Sequence, residues 1–168
     1  MRKIFISTLL IIMMSAATAL AANWQQIYTD NDDNVIYFDA DSVQITSITE
    51  TRDVTTFSAK FRMEYSEKGR NALINWYRDY SIVPAGIESL SYDVSTLQFK
   101  FENGKRYYHI SERVSYNAYG AEITGMHYVN AEPTWQEIPV ASVVDVEYNE
   151  AKLIVDGKRY KRVDAADL

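Results

Sequence analysis

Apolar and polar side chains alternate through residues 97–116 on both sides of an Asn103-Gly104 pair. Leu97, Phe99 and Phe101 alternate with Gln98, Lys100 and Glu102, and Tyr108, Ile110, Val114 and Tyr116 keep the two-residue period beyond the pair. This alternation marks strands with one buried face, and Asn-Gly favours a two-residue type I′ turn. The turn pairs Glu102 with Lys105 and sets Phe99 opposite Tyr108 and Leu97 opposite Ile110 on the inner face. Gln98–His109 and Lys100–Tyr107 then fall on the outer face. A second long strand is written in Phe57, Ala59, Phe61, Met63 and Tyr65, which alternate with Ser58, Lys60, Arg62 and Glu64. Residues 35–38 make a shorter strand after a polar loop at 30–34, and residues 24–28 pair with it.

The period changes after Tyr65. Ser66 can cap a helix carrying Ala72, Leu73, Trp76, Tyr77 and Tyr80, whose spacings of one, three and four fit a helical stripe. Pro84 and Gly86 end it. A second short helix is expected over residues 139–149, with Pro139 in its first turn and Val140, Val143, Val144 and Tyr148 on one side. Asp156-Gly157 predicts a last hairpin with Leu153 opposite Tyr160. The sum is an α+β fold: an antiparallel β-sheet of about five to seven strands with one or two helices packed on a face.

The first 22 residues stand apart from this patterning. Arg2 and Lys3 precede an apolar run at residues 4–14, small residues follow, and Ala19-Leu20-Ala21 reads as an A-x-A cleavage site. The expected organisation is a cleavable signal peptide at 1–22, one domain at 23–163, and a short polar tail at 164–168. The competing reading, an uncleaved anchor, needs roughly 20 predominantly apolar residues, and the half from Ser15 to Ala19 is too weakly apolar to suit it. The expected location is secreted, periplasmic or cell-surface, with no stable membrane insertion after cleavage.

Cleavage leaves about 147 residues, enough for one domain with its own core. The leader carries two of the 17 basic residues and none of the 23 acidic ones, so the remainder has a net charge of −8. An acidic surface repels phosphate backbones, which argues against a nucleic-acid partner. The chain has no cysteine, so disulfides, thiolate nucleophiles and Cys-based metal sites are excluded. Lys158, Arg159, Lys161 and Arg162 form the one basic cluster, read either as a charged edge strand or as a docking patch for an anionic partner.

Little else carries chemistry. His109 and His127 are the only histidines, and no two ligands sit at zinc spacing. Asp30, Asp32 and Asn34 match the first positions of a calcium loop, but Val35 stands where the loop demands glycine. Asp39 and Asp41 fit a turn or a cap better than a pair of catalytic carboxyl groups. Neither a cofactor nor catalytic residues are expected.

The chain resembles the surface-adhesin E-like domain of bacterial envelope proteins. The matching pieces run in order: Trp24 and Ile27; Tyr37-Phe38-Asp39-Ala40-Asp41-Ser42-Val43; the strand ending at Tyr65; Tyr116-Asn117-Ala118-Tyr119-Gly120; and Trp135-Gln136-Glu137-Ile138-Pro139 with Ser142. The resemblance implies a small exported α+β domain, in some members concerned with adhesion. Family members often carry a cysteine pair, one of it near the strand corresponding to residues 92–96, and this chain has none.

The reading that results is an exported non-enzymatic binding module of the cell envelope whose partner is a protein or a cell-wall component. Its expected contact residues are Gln98, Lys100, Tyr107 and His109 on the sheet's outer face, with the basic cluster near the C-terminus. The alternative is a periplasmic inhibitor or small-ligand carrier, which would enclose a pocket between sheet and helix.

Overall fold

A computed structural model describes residues 22–49 and 54–164. All but the last residue of the expected leader, and all but the first of the tail, lie outside the described residues.

The sheet is a seven-stranded antiparallel meander, α+β in class as the patterning predicts. Strands β1 (Trp24–Thr29), β2 (Val35–Ile48), β3 (Val54–Glu64), β4 (Leu90–Glu102), β5 (Lys105–Asn117) and β6 (Glu122–Val129) lie side by side in chain order. A two-residue strand, β7 (Gln136–Glu137), pairs with β5 further along the same edge. Helix α1 (Glu67–Asp79) follows β3, and helix α2 (Val143–Asp164) closes the described chain. The β4–β5 hairpin has the register that Asn103-Gly104 dictates: Glu102 faces Lys105, Phe99 faces Tyr108 and Leu97 faces Ile110.

One face of the sheet carries the main core. Phe38, Phe57, Ala59, Phe61, Leu97 and Phe99 pack there against Tyr148, Ala151 and Val155 of α2. The rings of Phe57, Phe99 and Tyr148 meet with centroids 5.2–5.6 Å apart. Burial of these aromatic surfaces is the principal stabilising term, at roughly 25 cal/mol per Å² of apolar area removed from water.

Three expectations are corrected at the strands. β2 runs through to Ile48 because Asp39-Ala40-Asp41-Ser42 forms a bulge, not a turn. Asp39 accepts the amides of Asn23 and Asp41, and Ser42 Oγ accepts the Lys60 amide at 2.8 Å. On β5 a second bulge at Ser111 breaks the alternation, since Leu97 faces Ile110 while Thr96 faces Glu112. Val114 and Tyr116 therefore leave the inner face, and Arg113 and Ser115 take their places. His109, expected on an exposed face, is only 3% exposed.

Two more corrections concern the helices. On α1 the covered stripe is Gly69, Leu73, Ile74 and Tyr77, whereas Ala72, Trp76 and Tyr80 face out. Its position is set at the N-terminus. Ser66 Oγ accepts the Gly69 amide at 2.9 Å, as the capping pattern predicts, and the buried Asn34 side chain lies directly against Gly69. Asn34 Oδ1 accepts the Ser66 amide at 3.0 Å while its Nδ2 donates to Asp30. The loop that matched a calcium site is thus a hairpin loop on which α1 docks.

The expected final hairpin is replaced by helix. Val144, Tyr148, Ala151 and Val155 recur at spacings of four and three, and packing that stripe on the sheet overrides the turn preference of Asp156-Gly157. Lys158, Arg159, Lys161 and Arg162 consequently fall on the last turns of α2 and not on an edge strand. The helix also starts later than expected: Pro139 and Ser142 form a turn before it, Val140 is exposed, and Ser142 Oγ accepts the Asp145 amide at 3.2 Å. Among the described residues, no helix is long and apolar enough to cross a membrane.

Candidate functional site

The inner face of the sheet changes character along its strands. Past Phe99 and Leu97, β4 turns inward with Ser95 and Asp93; past Phe61, β3 does so with Met63, and Tyr65 follows. Beyond its bulge β5 contributes Arg113 and Ser115. Of these, Tyr65, Asp93, Arg113 and Ser115 line a cleft of about 520 Å³ walled by Leu73 and Tyr77 of α1 and by Met126 and Tyr128 of β6. A second hollow of about 230 Å³ adjoins it, bounded by Val143, Val144 and Glu147 of α2. Tyr65, Asp93, Tyr108, Ile110 and Arg113 line both. The larger volume lies in the range of ~300–1,000 Å³ typical of small-ligand sites.

Asp93, Arg113 and Glu147 all line the smaller hollow, and the first two line the cleft as well. Asp93 is 5% exposed, and its Oδ2 accepts a hydrogen bond from the Tyr65 hydroxyl at 2.8 Å. Its Oδ1 is fully buried with no partner among the described residues. Burial and the adjacent Asp93 raise the Tyr65 pKa, which keeps the phenol in its donating form. Arg113 donates from Nε to Ser95 Oγ at 3.2 Å. Glu147 is 7% exposed, and burial pushes its carboxyl up to about 8, with Arg113 acting weakly in the other direction. At neutral pH Glu147 is therefore mostly protonated and can both donate and accept.

A buried acceptor without a donor costs ~1–3 kcal/mol relative to a satisfied one. Most buried polar groups avoid that cost. Here the residue that carries the orphan lines an open cleft. The chemistry on offer is hydrogen bonding of a polar ligand against tyrosine rings.

Of the residues singled out from the sequence, Gln98, Lys100 and Tyr107 do not line the cleft, whereas the His109 ring does, beside Asn130 and Thr134, which line it too. Gln98, Lys100, Tyr107 and His109 share the opposite face of the sheet, as the register requires. Lys100 is held by Glu102 at 3.0 Å and lies over the rings of Tyr107 and Trp135. His109 is covered by Trp135; its Nδ1 accepts the Thr134 amide and its Nε2 donates to the Asn130 carbonyl. That pattern defines one neutral tautomer and reads as structural. His127 lies between Glu112 and Glu122 at 3.3 and 3.2 Å. The basic cluster at 158–162 shares its helix with Val143, Val144 and Glu147 of the smaller hollow and is remote in sequence from the other lining residues.

Asp93, Arg113 and Glu147 were not legible as a group. Asp93 and Ser95 continue the inward parity of Phe99 and Leu97, a signal present in the sequence. Arg113 reaches the cleft only through the bulge at Ser111, and Glu147 only through the docking of α2.

No protein-family model matches the chain, and neither a curated protein nor a solved structure does.

Proposed function

We propose that this chain is an exported non-enzymatic binding module of the bacterial cell envelope, of the surface-adhesin E-like type, and that it holds its partner in the cleft between α1 and β6. The observation that carries this reading is the buried, unpartnered Oδ1 of Asp93 in the wall of an open cleft. The leader pattern at 1–22 supports export. Both histidine rings are engaged by backbone groups or by glutamates and not by a nucleophile, which supports binding without catalysis. The partner is a cell-wall component or a polar segment of an envelope protein.

Cosedimentation with isolated cell-wall and envelope fractions tests this. The purified chain is expected to pellet with one fraction, and Met126→Trp, which puts an indole on the cleft wall from β6, is expected to stay in solution while keeping its circular dichroism spectrum. Equal pelleting of the Trp variant would overturn the cleft as the binding site.

The cleft volume favours one further reading, a soluble small-ligand carrier. A small molecule that copurifies with the chain and is absent from Met126→Trp, detected by native mass spectrometry, would mark it.

A further inference from the structure

The charge balance of the cleft narrows the ligand, given the reading of the cleft as the binding site. Arg113 contributes one positive charge and Asp93 one negative charge to the shared wall of the two hollows. Glu147 adds a mostly neutral carboxyl, held so by burial. The cluster is near neutral as it stands, and the two histidines that also line the cleft are held by their own partners, His109 by Asn130 and Thr134 and His127 by Glu112 and Glu122. An ammonium ligand would meet Arg113, and a carboxylate or phosphate would meet Asp93; either would bring an extra charge into a site already compensated. A neutral ligand carries no such cost.

The hydrogen-bonding inventory is mixed. Asp93 Oδ1 needs a donor, the guanidinium of Arg113 offers donors beyond the Nε committed to Ser95, and Glu147 can do either. A hydroxyl group is the ligand group that donates and accepts at once. Around these groups stand Tyr65, Tyr77, Tyr108 and Tyr128. The negative face of a tyrosine ring attracts the weakly positive C–H bonds of a saturated ring.

We propose that the cleft is a saccharide site, taking a neutral oligosaccharide whose hydroxyl groups donate to Asp93 Oδ1 and accept from Arg113, with sugar rings laid against the tyrosines. The sugar can belong to the chain's own envelope or to a foreign glycan, and the chemistry is the same.

The test is amide chemical-shift mapping on the ¹⁵N-labelled chain. The probes are neutral tetrasaccharides of glucose, mannose and N-acetylglucosamine, compared with a zwitterionic dipeptide and with spermidine at equal concentration. One tetrasaccharide is expected to shift the amides of Asp93, Arg113 and Ser115, and the two charged probes are not. Asp93→Asn keeps an acceptor for Tyr65 but places an amide where the orphaned oxygen stood. It is expected to weaken saccharide binding by about tenfold or more, the worth of one hydrogen bond to a charged group. Met126→Trp, on the cleft wall, is expected to abolish it. The proposal is overturned if no saccharide moves these amides, or if Asp93→Asn binds as tightly as the parent. Binding of a charged probe in the cleft instead would remove the saccharide while leaving the cleft as a binding site. Unimpaired pelleting of Met126→Trp with envelope fractions would remove the site itself.

Discussion

The two ends of the same sheet face, built on the same three strands, have opposite character. At one end Phe57, Phe99 and Leu97 meet Tyr148, Ala151 and Val155 of α2 in a closed aromatic core. At the other, Met63, Asp93, Ser95, Arg113 and Ser115 leave two adjoining hollows. The transition is abrupt because β5 slips by one residue at Ser111, held there by Ser111 Oγ donating to the Thr96 carbonyl at 3.0 Å. A one-residue slip turns every later side chain over. Without it Val114 would point inward and extend the core; with it, Arg113 and Ser115 do. The closed end makes the protein stable, and that stability lets the open end keep a buried oxygen without a partner.

If the closed end supplies most of the stability, Phe99→Ala is the largest perturbation. Phe99 is fully buried against three rings, and its loss is expected to cost ~3–5 kcal/mol in urea denaturation. Wild-type binding by the residual folded fraction would show that the two ends are separable.

Glu147 bridges the two ends, and its effect depends on pH. Its folded value of about 8 lies above the ordinary 4.5. Between those values the folded protein holds a proton that the unfolded chain has released. Stability is therefore full below pH 4.5 and declines as pH rises toward 8, by up to ~1.4 kcal/mol per pH unit. Glu147→Gln is expected to flatten this dependence, so that its advantage over the parent grows from pH 5 to pH 8 in the same denaturation assay. An unchanged slope would mean that Glu147 ionises freely in the fold.

The open end also depends on where α1 sits. A Cβ at position 69 would lie 1.8 Å from Asn34 Oδ1, so Gly69→Ala is expected to cost ~1–3 kcal/mol. It should also shift the amides of Leu73 and Tyr77 along the cleft wall. On the far part of α2, Gly157 is helical and exposed, and a Cβ added there would meet no atom within 4 Å. Gly157→Ala is expected to raise stability by ~0.5–1 kcal/mol; destabilisation would argue against helix there. Asp93→Asn should be smallest in stability, within ~0.5 kcal/mol, because the orphaned oxygen has no bond to lose. A large loss would recast Asp93 as a structural residue.

Much of the architecture was legible from local pattern. Asn103-Gly104 and the alternation around it specify the β4–β5 pairing as far as Ile110, because turn geometry and side-chain period agree. Ser66 marks the start of α1. The failures share a cause. Asp39–Ser42 and Asp156-Gly157 carry turn residues, yet a bulge and a helix form there, because bonds to Asn23 and Lys60 in one case and burial of Tyr148, Ala151 and Val155 in the other outweigh a local preference. The α1 stripe departs from the apolar pattern because Gly69 contributes a close approach to Asn34, not an apolar surface.

By itself the sequence determined the absence of disulfides, the α+β class and the register of the central hairpin. Those are properties of composition and of neighbours close along the chain. Only the tertiary structure decided which ionisable residues meet. Asp93, Arg113 and Glu147 come from two strands and a helix, and their meeting depends on a one-residue slip at Ser111 and on where α2 docks. Neither the slip nor the docking is encoded in the residues that form the cleft; both come from the packing of the whole sheet.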